Sequence, residues 1–184
     1  MVKNLSLIAG MLCLTSQLYA QDRIPVELKE DQFYISILDP GFTWEKKLTD
    51  KNSLTFGVGL STYGDESSSP FDDDFGVSLN PSISADFRNF YPRKRVKKDL
   101  NPNSGNYVAV RAGYIFDSIA DNIDGGTTEI SQSFFMGPVW GIQRNYKSGI
   151  HLGFSIGGGF ATGKNTDLKF TGLGQLRLGF AIGK

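Results

Sequence analysis

Apolar and polar residues alternate along most of this chain, a pattern typical of β-strands with two different faces. The stretch from Leu168 to Ile182 shows the alternation most clearly. Because successive side chains of a strand point to opposite faces, the two sets lie on opposite sides of a sheet. The apolar set is Leu168, Phe170, Leu176, Leu178, Phe180 and Ile182, and the polar set is Lys169, Thr171, Gln175 and Arg177.

The same alternation, bounded by turn residues, predicts eight strands. Their ranges are 26–38, 42–48, 53–63, 75–88, 106–116, 131–144, 150–161 and 168–182. Asp39-Pro40-Gly41 predicts a tight turn, because proline presets one turn dihedral and glycine accepts a positive one. Pro81, inside the fourth strand, predicts a bulge or an irregularity there. Strands with one apolar and one polar face favour an all-β fold, an eight-stranded antiparallel up-and-down transmembrane β-barrel.

The first residues of the chain are typical of a secretory signal peptide. Lys3 supplies the positive start, residues 5–18 the short apolar core, and Leu18-Tyr19-Ala20 a cleavage site. The apolar run is too short for a membrane-spanning helix. We therefore divide the chain into a signal peptide, 1–20, and an outer-membrane β-barrel domain, 21–184, and we expect the bacterial outer membrane as its location.

Cysteine and charge narrow the possible chemistry. The only cysteine, Cys13, lies in the signal segment, where the bulky Leu12 before it argues against lipid attachment. The chain carries 19 basic and 19 acidic residues, and loss of Lys3 with the signal leaves a net charge of −1. This balance gives no reason to expect a nucleic-acid partner. A single histidine without cysteine cannot build a typical zinc site, and we predict no cofactor, no metal and no enzymatic activity.

Both ends of the predicted barrel lie in the periplasm, so its connections alternate between outside loops and periplasmic turns. The outside loops are 64–74, 118–130 and 162–167, and the periplasmic turns are 49–52, 92–105 and 145–149. Carboxylates crowd the first outside loop, but the glycine that shapes a calcium-binding loop is absent. We expect outer-membrane lipid, lipopolysaccharide and the barrel-assembly machinery as partners of a monomer.

An eight-stranded barrel is just wide enough for side chains to fill its lumen. We predict a polar network there, because unpaired charges in such an interior are costly, with three arginines meeting Glu45 and Asp86. Its members are Glu45, Lys47, Asp86, Arg88, Arg111, Gln143, His151, Gln175 and Arg177. Aromatic girdles at the two membrane surfaces are predicted from residues near strand ends, namely Trp44, Tyr63, Tyr91, Tyr107, Trp140 and Tyr146.

Two sequence stretches resemble small Bacteroidota-type outer-membrane β-barrels without assigned function. The stretches are Asp39-Pro40-Gly41 followed by Trp44-Glu45 and Leu48, and Arg88-Asn89-Phe90-Tyr91 followed by a basic turn and Gly105-Asn106-Tyr107. The resemblance covers most of residues 21–184. It implies the fold and the membrane location, and it transfers no catalytic residue.

We therefore predict an integral outer-membrane protein with a structural or surface-interaction role and a side-chain-filled lumen. A narrow solute or ion pore is one alternative. A lipid-active enzyme is another, but His151 points inward near a periplasmic turn rather than toward lipid at the outer rim. The last alternative is a soluble, lipocalin-like carrier of an apolar ligand, which requires Phe154, Leu178 and Phe180 inside and Arg177 in solvent.

Overall fold

Eight long antiparallel strands form one sheet whose first and last strands pair, so the sheet closes into a ring. The computed structural model describes residues 23–24, 26–64, 77–91, 93–94, 100–121, 132–163 and 166–183. The long strands are β1 (Asp31–Leu38), β2 (Gly41–Lys47), β3 (Asn52–Gly64), β4 (Val77–Tyr91), β5 (Gly105–Ile115), β6 (Ser133–Asn145), β7 (Ile150–Gly163) and β8 (Thr166–Ile182). The described residues also form three two-residue strands, Arg23–Ile24, Arg93–Lys94 and Ala120–Asp121. Each long strand pairs with the next along the chain. The prediction of an all-β fold with eight antiparallel strands is confirmed.

The alternation along each strand separates an apolar outside from a polar inside. Along β5, buried and more exposed residues alternate at nearly every position. Outward side chains such as Phe154, Leu178 and Phe180 are 41–49% exposed, whereas inward Arg177 is 8% exposed. The faces are therefore opposite to those that a lipocalin-like carrier requires.

The strands are strongly tilted relative to the axis of the ring. Paired residues can be followed once around the ring, from Ile182 on β8 through Phe33, Phe56 and Met136. The path returns to β8 at Phe170. This displacement of 12 residues corresponds to a tilt of about 45° and a backbone radius of about 9 Å. We call the end where β1 begins and β8 finishes the lower end, and the opposite end the upper end.

Some strand boundaries differ from the sequence prediction. The first strand begins at Asp31 rather than at Val26, because residues 26–30 leave the sheet and cross the lower end of the ring. The pairing of β3 with β4 continues through Pro81 without a shift, whereas the pairing of β4 with β5 ends at Ser82, next to Pro81. Register shifts occur instead in β7, between Ala161 and Gly163, and in β8, between Leu178 and Gly179.

Residues 26–30 and 100–104 together form a cover over the lower end, which we call the lower cap. The backbone of Asn103 donates to the carbonyl of Glu27, and its side-chain oxygen accepts from the backbone of Lys29. Leu28 packs into a small apolar cluster with Phe90 and neighbouring inward side chains. The lower cap therefore covers the lower end of the ring and packs against this apolar cluster.

The upper part of the wall is uneven because the β1–β2 hairpin is short. β8 pairs with β1 only from Leu178 onward, and β2 pairs with β3 only as far as Gly59. Residues 166–177 of β8 therefore face residues 61–64 of β3 across a gap. Among the described residues, no strand pairs with either range on that side. We call this gap above the Asp39-Pro40 turn the notch. None of the described residues belongs to a helix that is long and apolar enough to cross a membrane.

Candidate functional site

The lower half of the interior holds a buried ion network centred on Asp86. Arg111, its partner across the β4–β5 ladder, donates from Nε at 2.8 Å and from Nη2 at 3.0 Å to the Asp86 carboxylate. Arg88 donates to the same carboxylate from Nη2 at 2.9 Å. All three residues are at most 5% exposed. Each arginine is held by a charge-assisted bond, the stronger class of hydrogen bond.

Glu45 forms the second acidic centre, and it is fully buried. Its carboxylate accepts hydrogen bonds from Ser53 at 2.6 Å, from the Tyr34 hydroxyl at 2.7 Å and from Asn103 at 2.9 Å. A terminal nitrogen of Arg88 lies 3.5 Å from it, and Arg88 also covers the Tyr107 ring. The buried carboxylate is thus fully supplied with donors, as a buried charge must be.

Arg177 differs from the other two buried arginines. Its guanidinium forms no ion pair or hydrogen bond with another described residue, although Arg177 is only 8% exposed. It lines two small voids of about 30 and 10 Å³. The buried interior of the described chain therefore contains three arginines and two carboxylates, and the uncompensated positive charge is on Arg177.

His151 lies at the bottom of the interior, next to the lower cap. Its Nδ1 is 2.7 Å from the Asn145 side-chain oxygen, and its ring lies 4.2 Å from that of Tyr34. Asn145 uses its amide nitrogen on Tyr34 and on carbonyls of the lower cap, so Nδ1 is the donor to the Asn145 oxygen. His151 Nε2 has no partner within the described residues and faces the smaller void beside Arg177. A void of this size holds about one water molecule.

The upper half of the interior is a cavity of about 470 Å³. Arg111 and Gln175 lie at its floor, serines including Ser82 and Ser84 line one wall, and Phe135, Ile115 and Leu173 line the other parts. Gln175 donates to the Asp39 carboxylate at 2.6 Å, which joins the floor to the lower edge of the notch. The interior is therefore divided into a lower half filled by the ion network and an open upper half.

The cavity also reaches the outside of the ring. All six consecutive residues from Thr171 to Leu176 line it, and they include Leu176, whose side chain points outward and is 49% exposed. Leu38, which is 47% exposed at the top of β1, lines it as well. One cavity can touch both faces of a strand only around a free edge, so it opens sideways through the notch.

The structure brings most of the residues of the predicted polar network into one cluster and leaves some apart. Asp86, Arg88, Arg111, Glu45 and Gln143 are joined by hydrogen bonds or ion pairs. His151, Gln175 and Arg177 line the voids around this cluster.

Lys47 does not join the cluster. It pairs with Asp50 at 2.9 Å at the lower rim, and this hydrogen bond holds the pKa of the exposed Asp50 carboxyl below its ordinary value.

Four further members of the network were not predicted from the sequence: Tyr34, Ser53, Asn103 and Asn145. Strand parity could have found Tyr34, which lies between the outward residues Phe33 and Ile35. Asn103 lies in the lower cap, and no periodic signal marks it. Tyr107 corrects the girdle prediction, because it is only 3% exposed and points inward.

Comparison with protein-family models, with curated proteins and with solved structures finds no match for this chain.

Proposed function

We propose that this protein is an integral β-barrel of a bacterial outer membrane with a non-enzymatic, structural or surface-interacting role. The observation that carries the proposal is the continuous belt of exposed, large apolar side chains around a ring whose charges are inside. Soluble monomers rarely expose apolar patches of more than a few hundred Å². A belt that encircles the molecule is instead what a surrounding bilayer requires.

The height of the belt supports the same proposal. On β8, outward apolar side chains run from Ile182 to Phe170, interrupted by Gly174 and Gly172. With a tilt of about 45°, these residues span about 28 Å along the axis, close to the 25 Å apolar band of membrane barrels. Near the lower end, Trp140 donates from Nε1 to the Tyr91 hydroxyl at 2.6 Å on the outer surface, as girdle residues would.

The proposed orientation places the lower cap in the periplasm and the cavity toward the cell exterior. In closed bacterial barrels the first strand begins and the last strand ends on the periplasmic side. Membership of a Bacteroidota-type family, a removed signal peptide, insertion by the barrel-assembly machinery and contact with lipopolysaccharide belong to the same proposal. Each is supported by the sequence patterns given above.

A conducting pore has less support from the geometry. The network around Glu45 and Asp86 and the lower cap fill the lower half of the ring, and only voids of about 30 and 10 Å³ lie around Arg177. Planar-bilayer recordings of the purified protein should therefore show no discrete conductance steps. Reproducible steps would favour the pore over a filled lumen.

Fractionation of cells that produce the full chain tests the main proposal. We expect the protein in the outer-membrane fraction, resistant to alkaline carbonate and extracted only by detergent. Unheated samples should migrate differently from boiled samples on a denaturing gel, because closed barrels resist detergent until heated. Recovery of folded protein from the aqueous fraction without detergent would overturn the proposal.

A further inference from the structure

We propose that the upper cavity binds a single-chain amphiphile with a carboxylate head group, which enters sideways from the bilayer through the notch. The inference rests on the proposed membrane location and adds a ligand to it. The buried charge on Arg177, the lining of the cavity and its lateral opening support the inference in turn.

The excess of buried arginines over buried carboxylates among the described residues favours binding of an anion. An uncompensated buried ion costs several kcal/mol. Arg88 and Arg111 share Asp86 and Glu45, so Arg177 is the cation left without a carboxylate among the described residues. Arg177 does not line the cavity itself but borders the void of about 30 Å³ next to it, which Thr43, Ser84, Gln175 and the Asp39 carboxylate also line. Ser84 and Gln175 line both spaces, so a head group at the cavity floor lies next to this void. A planar carboxylate fits this setting, since a guanidinium binds it through two parallel hydrogen bonds.

The lining of the cavity suits a chain attached to that head group. Its volume of about 470 Å³ is within the usual range for a small-molecule site. Above the polar floor, Phe135, Ile115 and Leu173 turn their apolar side chains into the ring, against the polar-inside pattern of the lower half. Asp39, the acidic group at the edge of the notch, accepts a hydrogen bond from Gln175 and lines the same void as Arg177 without forming an ion pair with it.

The notch is the route by which the ligand would enter the cavity from the bilayer. On β8 the free edge from Thr171 to Leu176 lies between the Ile182 and Phe170 levels of the apolar belt, in its upper half. In the proposed orientation this is the outer leaflet. Gly172 and Gly174 have open space where a side chain would begin, so a flexible chain can pass beside them.

Binding of palmitate and of hexadecanol, the alcohol of equal chain length, tests the inference. The full-length protein, purified from membranes in detergent and stripped of lipid, is titrated with carboxyl-labelled palmitate while the carbon-13 signal is followed. We expect palmitate to bind more tightly than the alcohol. Arg177→Gln should weaken palmitate binding about 10- to 100-fold and leave hexadecanol binding unchanged. The ligand-free variant should melt at the same or a higher temperature, because an uncompensated charge is gone.

A second pair of variants tests the route. Gly174→Trp fills the notch at a position where a new side chain meets nothing, and it should slow palmitate uptake from vesicles at least tenfold. Val110→Trp places the same residue on the belt at β5, three strands from β8 and two from β3, and should not change uptake. Gel mobility before and after heating verifies that both variants are folded.

Three results would overturn the inference. If Arg177→Gln weakened palmitate and hexadecanol binding equally, Arg177 would have a structural role only. If palmitate binding were unchanged, Arg177 would not be the head-group site. Binding of inorganic phosphate without any palmitate binding would mean a site for a free anion. All three leave membrane fractionation unaffected, so they are distinguishable from failure of the proposed function.

Discussion

At the scale of single residues, the interior charges act as a unit, because Asp86 is shared by two arginines and Arg88 by two carboxylates. Asp86→Asn would remove the partner of Arg88 and Arg111 at once and leave three arginines against one carboxylate. Breaking a buried ion pair on one side costs about 3–5 kcal/mol. We expect that loss in the free energy of unfolding, measured by urea titration in detergent micelles.

The control for that substitution is Lys47→Met, which breaks the exposed pair with Asp50 at the lower rim. Solvent screens such a pair, so its loss should leave the unfolding curve unchanged. Equal effects of the two substitutions would mean that the buried network contributes no more than a surface pair.

Asn103 is a second residue whose role can be isolated. It adopts a positive φ of 58°, donates to Glu45 and accepts from the backbone of Lys29. Asn103→Ala should destabilise the folded protein by about 1–3 kcal/mol, through lost hydrogen bonds and an unfavourable backbone conformation. Asn103→Gly should lose only the contribution of the hydrogen bonds, because glycine adopts a positive φ without strain. The difference between their melting temperatures measures the backbone contribution, and equal melting would contradict it.

Sequence parity predicts which strand residues point inward but not which of them meet. Asp86 and Arg111 could be placed on the inner face from their neighbours, and the hydrogen bonds between them follow from register, which depends on the whole ring. Asn103 could not be predicted, because it contributes from a connection without periodicity. The uncompensated state of Arg177 could not be predicted either, since it depends on distances across the ring.

At the scale of elements, glycine determines how closely β6 and β7 approach. A Cβ at Gly159 would lie 2.9 Å from the Cα of Gly137 and against the carbonyl of Met136. Gly159→Val should therefore prevent normal pairing of these strands and lower the fraction of heat-modifiable protein. Gly172→Val, on β8 in open space, is the matched control and should fold normally. A fully folded Gly159→Val protein would show that the strands can separate at little cost.

The strands themselves could be predicted because period-two patterns are long and regular in β3 to β8. The sequence prediction starts the first strand at Val26, although Val26 and Leu28 have the opposite parity to Phe33, Ile35 and Ile37. The structure uses the apolar Leu28 to pack into the lower cap instead. A local pattern cannot distinguish burial in a sheet from burial across its end. The predicted acidic loop at 64–74 lies, from residue 65 onward, outside the described residues.

At the scale of the whole molecule, the belt makes a prediction about charge and depth. Ile156 lies in the belt with 56% exposure, and Leu48 lies at the lower rim with 49% exposure. In a bilayer, Ile156→Lys should cost about 2–4 kcal/mol, and Leu48→Lys about 0–1 kcal/mol, because the penalty depends on depth. Unfolding from lipid vesicles measures both. Equal and negligible costs would indicate that water surrounds the belt.

The pairing of Phe33 with Ile182 has a consequence for how the protein is made. The ring cannot be completed until the ribosome has finished the final strand, because the two partners are almost a full chain length apart. Contacts of such long range form slowly, and until they do the edges of β1 and β8 are open to other chains. We therefore expect the open strand edges to favour aggregation until closure, so a truncation that removes β8 should yield aggregates rather than a smaller folded product.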